Sequence, residues 1–169
     1  MYTNDMKSDS NNLDDLESVL RSLFQLMKRT QHWARITAQA GVTIDRPAGV
    51  IIHLLLTHAT EQFRLQDIAV ALGIEAPSVT RKTQALERAG YLARLPDPKD
   101  GRAVSFYLTP AGIRLGQSLH AAQREFLERS MRSWRDDDLQ QLVTLLERFS
   151  IDLSHSYESN EQTKENSDV

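Results

Sequence analysis

Two short strand-like segments between long helical stretches place the strongest limit on how this chain of 169 residues can fold. The first covers Tyr91 to Leu95. The second covers Arg102 to Leu108, where apolar residues alternate with small or polar ones at a period of two. The charged stretch DPKDGR at 97–102 lies at their junction. A hairpin of this size has no core of its own, so it must pack against the helices that precede it.

The rest of the chain has helical periodicity, with apolar residues recurring at three- and four-residue steps. The pattern predicts a long helix over 13–40, which Gly41 ends, and three shorter helices over 45–58, 65–72 and 76–89. Two long helices follow within 110–154, the first opened by Thr109 and Pro110 and the second by three acids. The predicted fold class is mainly α with a small β-hairpin.

The formal net charge of −3 is unevenly distributed along the chain. Residues 1–17 and 151–169 each carry five acids and one lysine, a net charge of −4, so residues 18–150 carry +5. Because a partner responds to the local field of a surface, an acidic total does not exclude a nucleic-acid partner. We expect residues 1–12 to be a flexible N-terminal segment and 156–169 a disordered acidic tail.

Several classes of protein are disfavoured by what the sequence lacks. It has no cysteine, which excludes disulfides, thiolate metal sites and cysteine nucleophiles. The five histidines are scattered, and neither H-E-x-x-H nor a glycine-rich phosphate loop occurs, so we expect no metal, no cofactor and no enzymatic activity. The acids at 136–138 are better explained as a helix start than as a magnesium site. No apolar run of membrane-spanning length and no secretory signal is present, so the predicted location is the cytoplasm.

The stretch 65–89 has the pattern of two helices joined by a tight turn around GIEA. On the second helix the predicted outer face carries hydrogen-bonding and basic side chains, namely Pro77, Ser78, Thr80, Arg81, Lys82 and Gln84. Such a helix can lie in a DNA major groove, with Arg81 placed for a guanine and Gln84 for an adenine. Ser78 and Thr80 are better suited to phosphates. The alternative is an ordinary amphipathic helix whose polar face is merely hydrated.

A helix-turn-helix followed directly by a charged hairpin is a winged helix-turn-helix. In that arrangement Lys99 or Arg102 would reach the neighbouring minor groove, where a narrow groove concentrates negative potential. Asp97 and Asp100 are expected to support the wing by accepting backbone amides and pairing with Arg102, and Gly101 allows a positive φ. A solvated turn whose charges cancel is the alternative.

The apolar stripes of the long helices are larger than one small winged helix can cover, which predicts a homodimer. Two recognition helices on a two-fold axis would need half-sites about 34–36 Å apart. A monomer with its helices folded back on themselves is the alternative.

Several motifs together resemble the MarR family of bacterial transcription regulators. They are the LGI turn, SVTR, LERAGYL, DPKDGR and LTPAG, and the resemblance covers roughly residues 13–153. It implies one domain over 13–155, with dimerisation helices at about 13–40 and 110–154 around a winged helix-turn-helix at about 42–109. It also implies a homodimeric repressor of a palindromic DNA operator, released by a small aromatic or phenolic ligand. Lys99 and Gly101 depart from the family's more basic wing, and without cysteine, sensing by thiol oxidation is excluded.

The resemblance also implies where a ligand would bind, between the first two predicted helices and the DNA-binding lobe. Candidate residues for holding an aromatic anion there are His32, Trp33, Arg35 and His53. The alternative for each of them is a plain packing or surface position. An activator, a DNA-binding regulator without a ligand, and a winged helix used only for protein interaction remain open alternatives.

Overall fold

The computed structural model describes residues 5–59, 63–96 and 104–165 of the chain. It is mainly helical with a small sheet, as predicted. The elements, in chain order, are α1 (Asp5–Lys28), α2 (Thr30–Gln39), α3 (Arg46–Thr57), β1 (Phe63–Arg64), α4 (Leu65–Leu72), α5 (Ala76–Arg88), β2 (Leu92–Pro96), β3 (Val104–Leu108), α6 (Pro110–Ser130) and α7 (Asp136–Glu165). The chain divides into two compact units, Met1–Phe126 and Leu127–Val169, where the sequence was interpreted as one domain.

The helix predicted over 13–40 is in fact two helices. The backbone of Arg29 is extended, with φ −61° and ψ 128°, and it separates α1 from α2. The Arg46 guanidinium lies 3.4 Å from the Met27 carbonyl oxygen and donates a hydrogen bond to it, at the end where α1 leaves carbonyls without helical partners. Periodicity alone could not locate this break, because the apolar stripe continues across it.

The terminal helices extend past their predicted ends. Helix α1 begins at Asp5, inside the segment expected to be flexible, and α7 continues to Glu165, inside the expected tail. The acid at the start of α1 suits the positive end of the helix dipole. Residues 156–165 contain no glycine or proline, so nothing in their local chemistry stops α7 near 155.

The sheet has three antiparallel strands in the order β1-β3-β2, one more than predicted. Phe63 of β1 pairs with Phe106 of β3, and β2 pairs with β3 from Leu92 opposite Leu108 to Pro96 opposite Val104. Strand β1 has only two residues, too few to show a period of two. Burial of Phe63 and Phe106 attaches the hairpin to the helical core, as its small size required.

The core of the first unit lies between α3, α4, α5, the sheet and α6. Its most buried side chains include Ile51, Ile52, Ile68, Val79, Leu86, Leu92 and Leu115. Thr83 is also buried, and its hydroxyl donates to the Val79 carbonyl at 3.0 Å, so the buried hydroxyl hydrogen of Thr83 has an acceptor. Because Val79, Thr83 and Leu86 fix the inner face of α5, the opposite face is directed to solvent.

Large apolar side chains remain exposed on both terminal helices. On α1 these include Leu13, Val19 and Phe24, and on α7 they include Leu145 and Ile151. No helix in the described part of the chain is both long and apolar enough to cross a membrane. A single chain therefore leaves these apolar side chains of α1 and α7 in contact with solvent.

Candidate nucleic-acid interface

The turn between α4 and α5 is built from local hydrogen bonds. The Asp67 carboxylate accepts the backbone N–H of Arg64 at 2.7 Å and so caps the N-terminus of α4. Gly73 ends α4 in the left-handed conformation, with φ 59°, and Ile74 N–H returns to the Ala69 carbonyl at 3.0 Å. Pro77 occupies the first turn of α5, where its missing N–H has no consequence. The chain therefore forms the helix-turn-helix that the sequence predicted.

The outer face of α5 presents the predicted residues to different degrees. Pro77, Arg81 and Gln84 are exposed, whereas Ser78 and Thr80 are half-buried. Thr80 donates to the Ala76 carbonyl at 2.9 Å and keeps its oxygen lone pairs available as acceptors. Within the described residues no hydrogen bond or ion pair occupies the Arg81 guanidinium. Its donors are therefore available to an external acceptor.

Lys82 is directed differently from what the sequence suggested. Its ammonium group forms an ion pair with the carboxylate of Asp45, the cap of α3. Asp45 also accepts the N–H of Ala48 at 3.0 Å. Position 82 lies about 100° further round the helix than Arg81, which brings its side chain toward α3. Lys82 therefore fastens α5 to the start of α3, and its charge is largely compensated there.

A second ion pair joins α5 to the hairpin. The Arg94 side chain of β2 binds both carboxylate oxygens of Glu87, with Nε 2.6 Å from Oε1 and Nη2 bonded to Oε2. Sequence reasoning did not assign a role to Arg94. The available signal was Glu87, the one acid on the outer part of this helix, followed seven residues later by a basic residue on a strand.

The charged tip of the hairpin lies outside the described residues. Asp97, Lys99, Asp100, Gly101 and Arg102 all belong to it. The structure describes the two strands up to the final pair, Pro96 opposite Val104. Roles for the five tip residues therefore stay predictions.

The ion pairs predict an acid-dependent loss of stability. Burial alone would raise the pKa of Asp45, but hydrogen bonds from Lys82 and Ala48 and the Lys82 charge together lower it below its ordinary 3.8. The hydrogen bond from Arg94, with its positive charge, lowers the pKa of Glu87 below its ordinary 4.5. Both carboxylates bind protons less tightly when folded than when unfolded. Their stabilisation is thus present above these ordinary values and lost as pH falls through the lowered folded ones.

Asp45→Asn is expected to show this effect, because asparagine keeps the helix cap but removes the charge. At about pH 7 the variant should be less stable than the wild type by at most about 1 kcal/mol, since the pair is partly exposed. The difference should shrink as the pH falls through the lowered folded pKa of Asp45 and the carboxylate becomes protonated. Urea unfolding at neutral pH and at a series of acid pH values measures it. A difference that persists in acid would show that the substitution harms packing rather than the ion pair.

Three of the four predicted ligand residues line one cavity in the first unit. It has a volume of about 330 Å³, and its lining includes His32, Trp33 and His53 from that prediction. Arg35 is exposed and is not part of the lining. It lies two positions from Trp33 on α2, and residues two apart face opposite sides of a helix. Arg35 therefore does not line this cavity, and its role in holding a ligand stays a prediction.

The cavity combines an aromatic wall with basic groups that sequence reasoning missed. The Trp33 indole N–H donates to the Ile44 carbonyl at 2.8 Å, so only the ring is left to contact an occupant. His32 packs edge-on against Phe126, with ring centroids 4.7 Å apart. Arg46 and His120 also contribute to the lining, which contains no aspartate or glutamate. Among the described residues, no group of acidic or histidine side chains is arranged to hold a metal ion.

The fold and the exposed face of α5 define the class of winged helix-turn-helix proteins. Comparison with known proteins supports the same class. The model of the MarR family matches residues 50–104. The HTH-type transcriptional regulator YkoM of Bacillus subtilis is 30% identical over 105 residues, which cover 62% of this chain and 67% of YkoM. The chain belongs to the MarR family of DNA-binding transcriptional regulators.

Solved structures show the same fold at low sequence identity. A MarR family protein from Bacillus stearothermophilus has a TM-score of 0.75 at 19% identity, covering 86% of this chain and 97% of that one. The S. aureus MepR–DNA complex has a TM-score of 0.62 at 22% identity, covering 78% of this chain and 96% of MepR. These similarities cover more of the chain than the segment matched by the family model.

Proposed function

We propose that the protein is a homodimeric repressor that binds a palindromic operator and is released by a small aromatic ligand. The observation that carries the DNA-binding part is the outer face of α5. Arg81 and Gln84 are exposed there, and Glu87, the acid nearest to them on this helix, is neutralised by Arg94. Within α5 itself, residues 76–88, Glu87 is the one acid and it is paired, so a DNA strand approaching this face meets mainly donors.

With α5 in the major groove, Arg81 binds the O6 and N7 acceptors of a guanine and Gln84 binds an adenine. Ser78 and Thr80 contact phosphates near the start of the helix, and Pro77 packs beside them. Lys82 contributes less than its charge suggests, because DNA must compete with Asp45 for it. The structural neighbour MepR has been solved with DNA, which supports this use of the fold.

The wing is the second DNA contact in this proposal. Lys99 and Arg102 reach the minor groove or its phosphates, while Asp97 and Asp100 hold the turn and Gly101 permits it. The tip sequence DPKDGR contains only two cations, Lys99 and Arg102. We assign most of the contact to Arg102.

Arg102→Ala is expected to weaken DNA binding without changing dimerisation. Loss of one phosphate-neutralising cation should lower the slope of log K against log salt by about one. Titrations at several salt concentrations measure the slope, and sedimentation gives the oligomeric state. Unchanged binding and slope would show that the wing does not contact DNA.

Dimerisation uses the exposed apolar side chains of α1 and α7. Leu13, Val19 and Phe24 in the first unit and Leu145 and Ile151 in the second are too apolar to remain in water. Packing against a second copy buries them and places two α5 helices on a two-fold axis. The half-sites are then one DNA turn apart, about 10 base pairs centre to centre.

Selection from a random pool of DNA duplexes tests the DNA-binding and dimer proposals together. We expect an inverted repeat with half-site centres about 10 base pairs apart. A single unrepeated site would contradict the dimeric arrangement. No enrichment at all would contradict sequence-specific binding and favour a protein-interaction module. A reporter gene downstream of the selected site separates repression from activation.

The ligand part of the proposal is supported by the cavity beside Trp33. An aromatic ring can stack on the indole, while His32, His53, His120 or Arg46 offer donors to an acidic group. Aromatic carboxylates such as benzoate are the probes, with release of the selected duplex and a change in tryptophan fluorescence as readouts. Binding to DNA that no such compound disturbs would favour a regulator without this ligand. A location in the cytoplasm, where DNA is accessible, belongs to the same proposal.

A further inference from the structure

We infer that the Glu87–Arg94 pair is a positioning device, which holds the wing at a fixed angle to the recognition helix, rather than a DNA contact. This role rests on the proposed function, because it concerns how α5 and the wing bind one duplex together.

The geometry of the pair is that of a rigid link. Arg94 uses two parallel N–H groups, Nε and Nη2, to bind both oxygens of Glu87. A bidentate contact of this kind fixes orientation as well as distance. Glu87 lies in the last turn of α5, and Arg94 lies in the middle of β2. The pair therefore joins the end of the recognition helix to the strand that leads to the wing tip.

The burial of β2 shows why such a link has an effect. Leu92 is buried and Ala93 is half-buried, but Arg94, Leu95 and Pro96 are all exposed. The inner end of the strand packs its side chains into the core, whereas the outer end is held only by its pairing with β3, where Leu95 lies opposite Ser105 and Pro96 opposite Val104. Pro96 lies about 7 Å beyond Arg94 along an extended strand. A small change of angle at Arg94 is thus enlarged toward the tip.

The same contacts make Arg94 a poor phosphate ligand. Its charge is neutralised by Glu87 at hydrogen-bonding distance, and two of its donors are occupied. A phosphate that binds it must also approach the Glu87 carboxylate. The two roles therefore predict opposite effects of removing Glu87. If the pair positions the wing, removing Glu87 weakens DNA binding. If Arg94 binds a phosphate, removing Glu87 frees the Arg94 donors and strengthens DNA binding.

The test uses the full chain and the duplex obtained by selection. Four variants are compared with the wild type: Glu87→Gln, Arg94→Gln, the double variant, and the charge exchange Glu87→Arg with Arg94→Glu. The measurements are Kd at several salt concentrations and a hydroxyl-radical footprint. Thermal unfolding serves as a control, because an exposed pair should change Tm only slightly.

Each single variant is expected to bind roughly twofold to fivefold more weakly, the range that one exposed ion pair can supply. The double variant should be no worse than a single one, because both substitutions remove the same link. The exchange should restore most of the affinity. The slope of log K against log salt should stay unchanged, while protection of the wing-contacted flanks weakens.

Two results would overturn the inference while leaving DNA binding intact. One is tighter binding by Glu87→Gln together with weaker binding and a slope lower by about one for Arg94→Gln, which would identify a phosphate contact. The other is wild-type binding by all four variants. If the wild-type protein selected no duplex, the proposed function itself would fail, and this role with it.

Discussion

Arg81→Ala is expected to weaken specific DNA binding by about 1–3 kcal/mol and to relax the base preference at one base pair in each half-site. The reason is that the guanidinium is exposed on α5 without a described partner, so its donors are available to a guanine edge. A base-by-base substitution scan of the selected duplex, performed with wild type and variant, measures both effects.

Lys82→Ala is the matched control, because it removes a neighbouring cation that is paired with Asp45. We expect a smaller loss, spread evenly over all positions of the duplex. An even loss for Arg81→Ala as well would show that Arg81 contacts a phosphate and carries no base recognition.

Gly112→Ala is expected to destabilise the fold by about 3 kcal/mol. A Cβ atom at position 112 would lie 2.1 Å from the Tyr91 carbonyl oxygen and 3.1 Å from a methyl group of Leu108. The Tyr91 oxygen cannot move away easily, because it accepts the Thr109 N–H at 3.0 Å. Thr109 also caps α6 by accepting the N–H of Gly112 at 3.1 Å. Urea unfolding measures the loss.

Gly116→Ala is the control one helical turn later. Its Cβ would meet a methyl carbon of Leu56 at 3.0 Å and a methyl carbon of Ile52 at 3.1 Å, so the neighbours need to yield by only a few tenths of an ångström. We expect a loss below about 1 kcal/mol, partly offset by the better helix propensity of alanine. Equal stability of the two variants would contradict the close backbone approach at Gly112.

The sequence predicted the features that depend on local periodicity and on the residues that start or end helices. The spacing of Val79, Thr83 and Leu86 determines which side of α5 packs inward, so the exposure of Arg81 and Gln84 could be anticipated. Asp45 before Pro47 marked the start of α3, and Thr109 before Pro110 marked the start of α6. These signals act within one or two turns of the chain and need no tertiary contact.

Several of the features that were missed depend on contacts between distant segments. Lys82 and Asp45 are 37 positions apart, so no helical pattern could reveal that the two side chains form an ion pair. Arg46 and His120 line one cavity only because α3 and α6 pack in the first unit. Strand β1 depends on pairing of Phe63 with Phe106. The sequence predicted α5 and its exposed face but not how the neighbouring elements constrain this helix.

Methylation interference on the selected duplex tests most directly whether α5 reads the major groove in two copies. Dimethyl sulfate modifies guanine at N7, an acceptor that lies in the major groove and that Arg81 is proposed to bind. We expect methylation to block binding at two symmetric sets of guanines about one helical turn apart, and Arg81→Ala to abolish the discrimination at one guanine in each set. Binding that is indifferent to N7 methylation throughout the duplex would contradict recognition by α5.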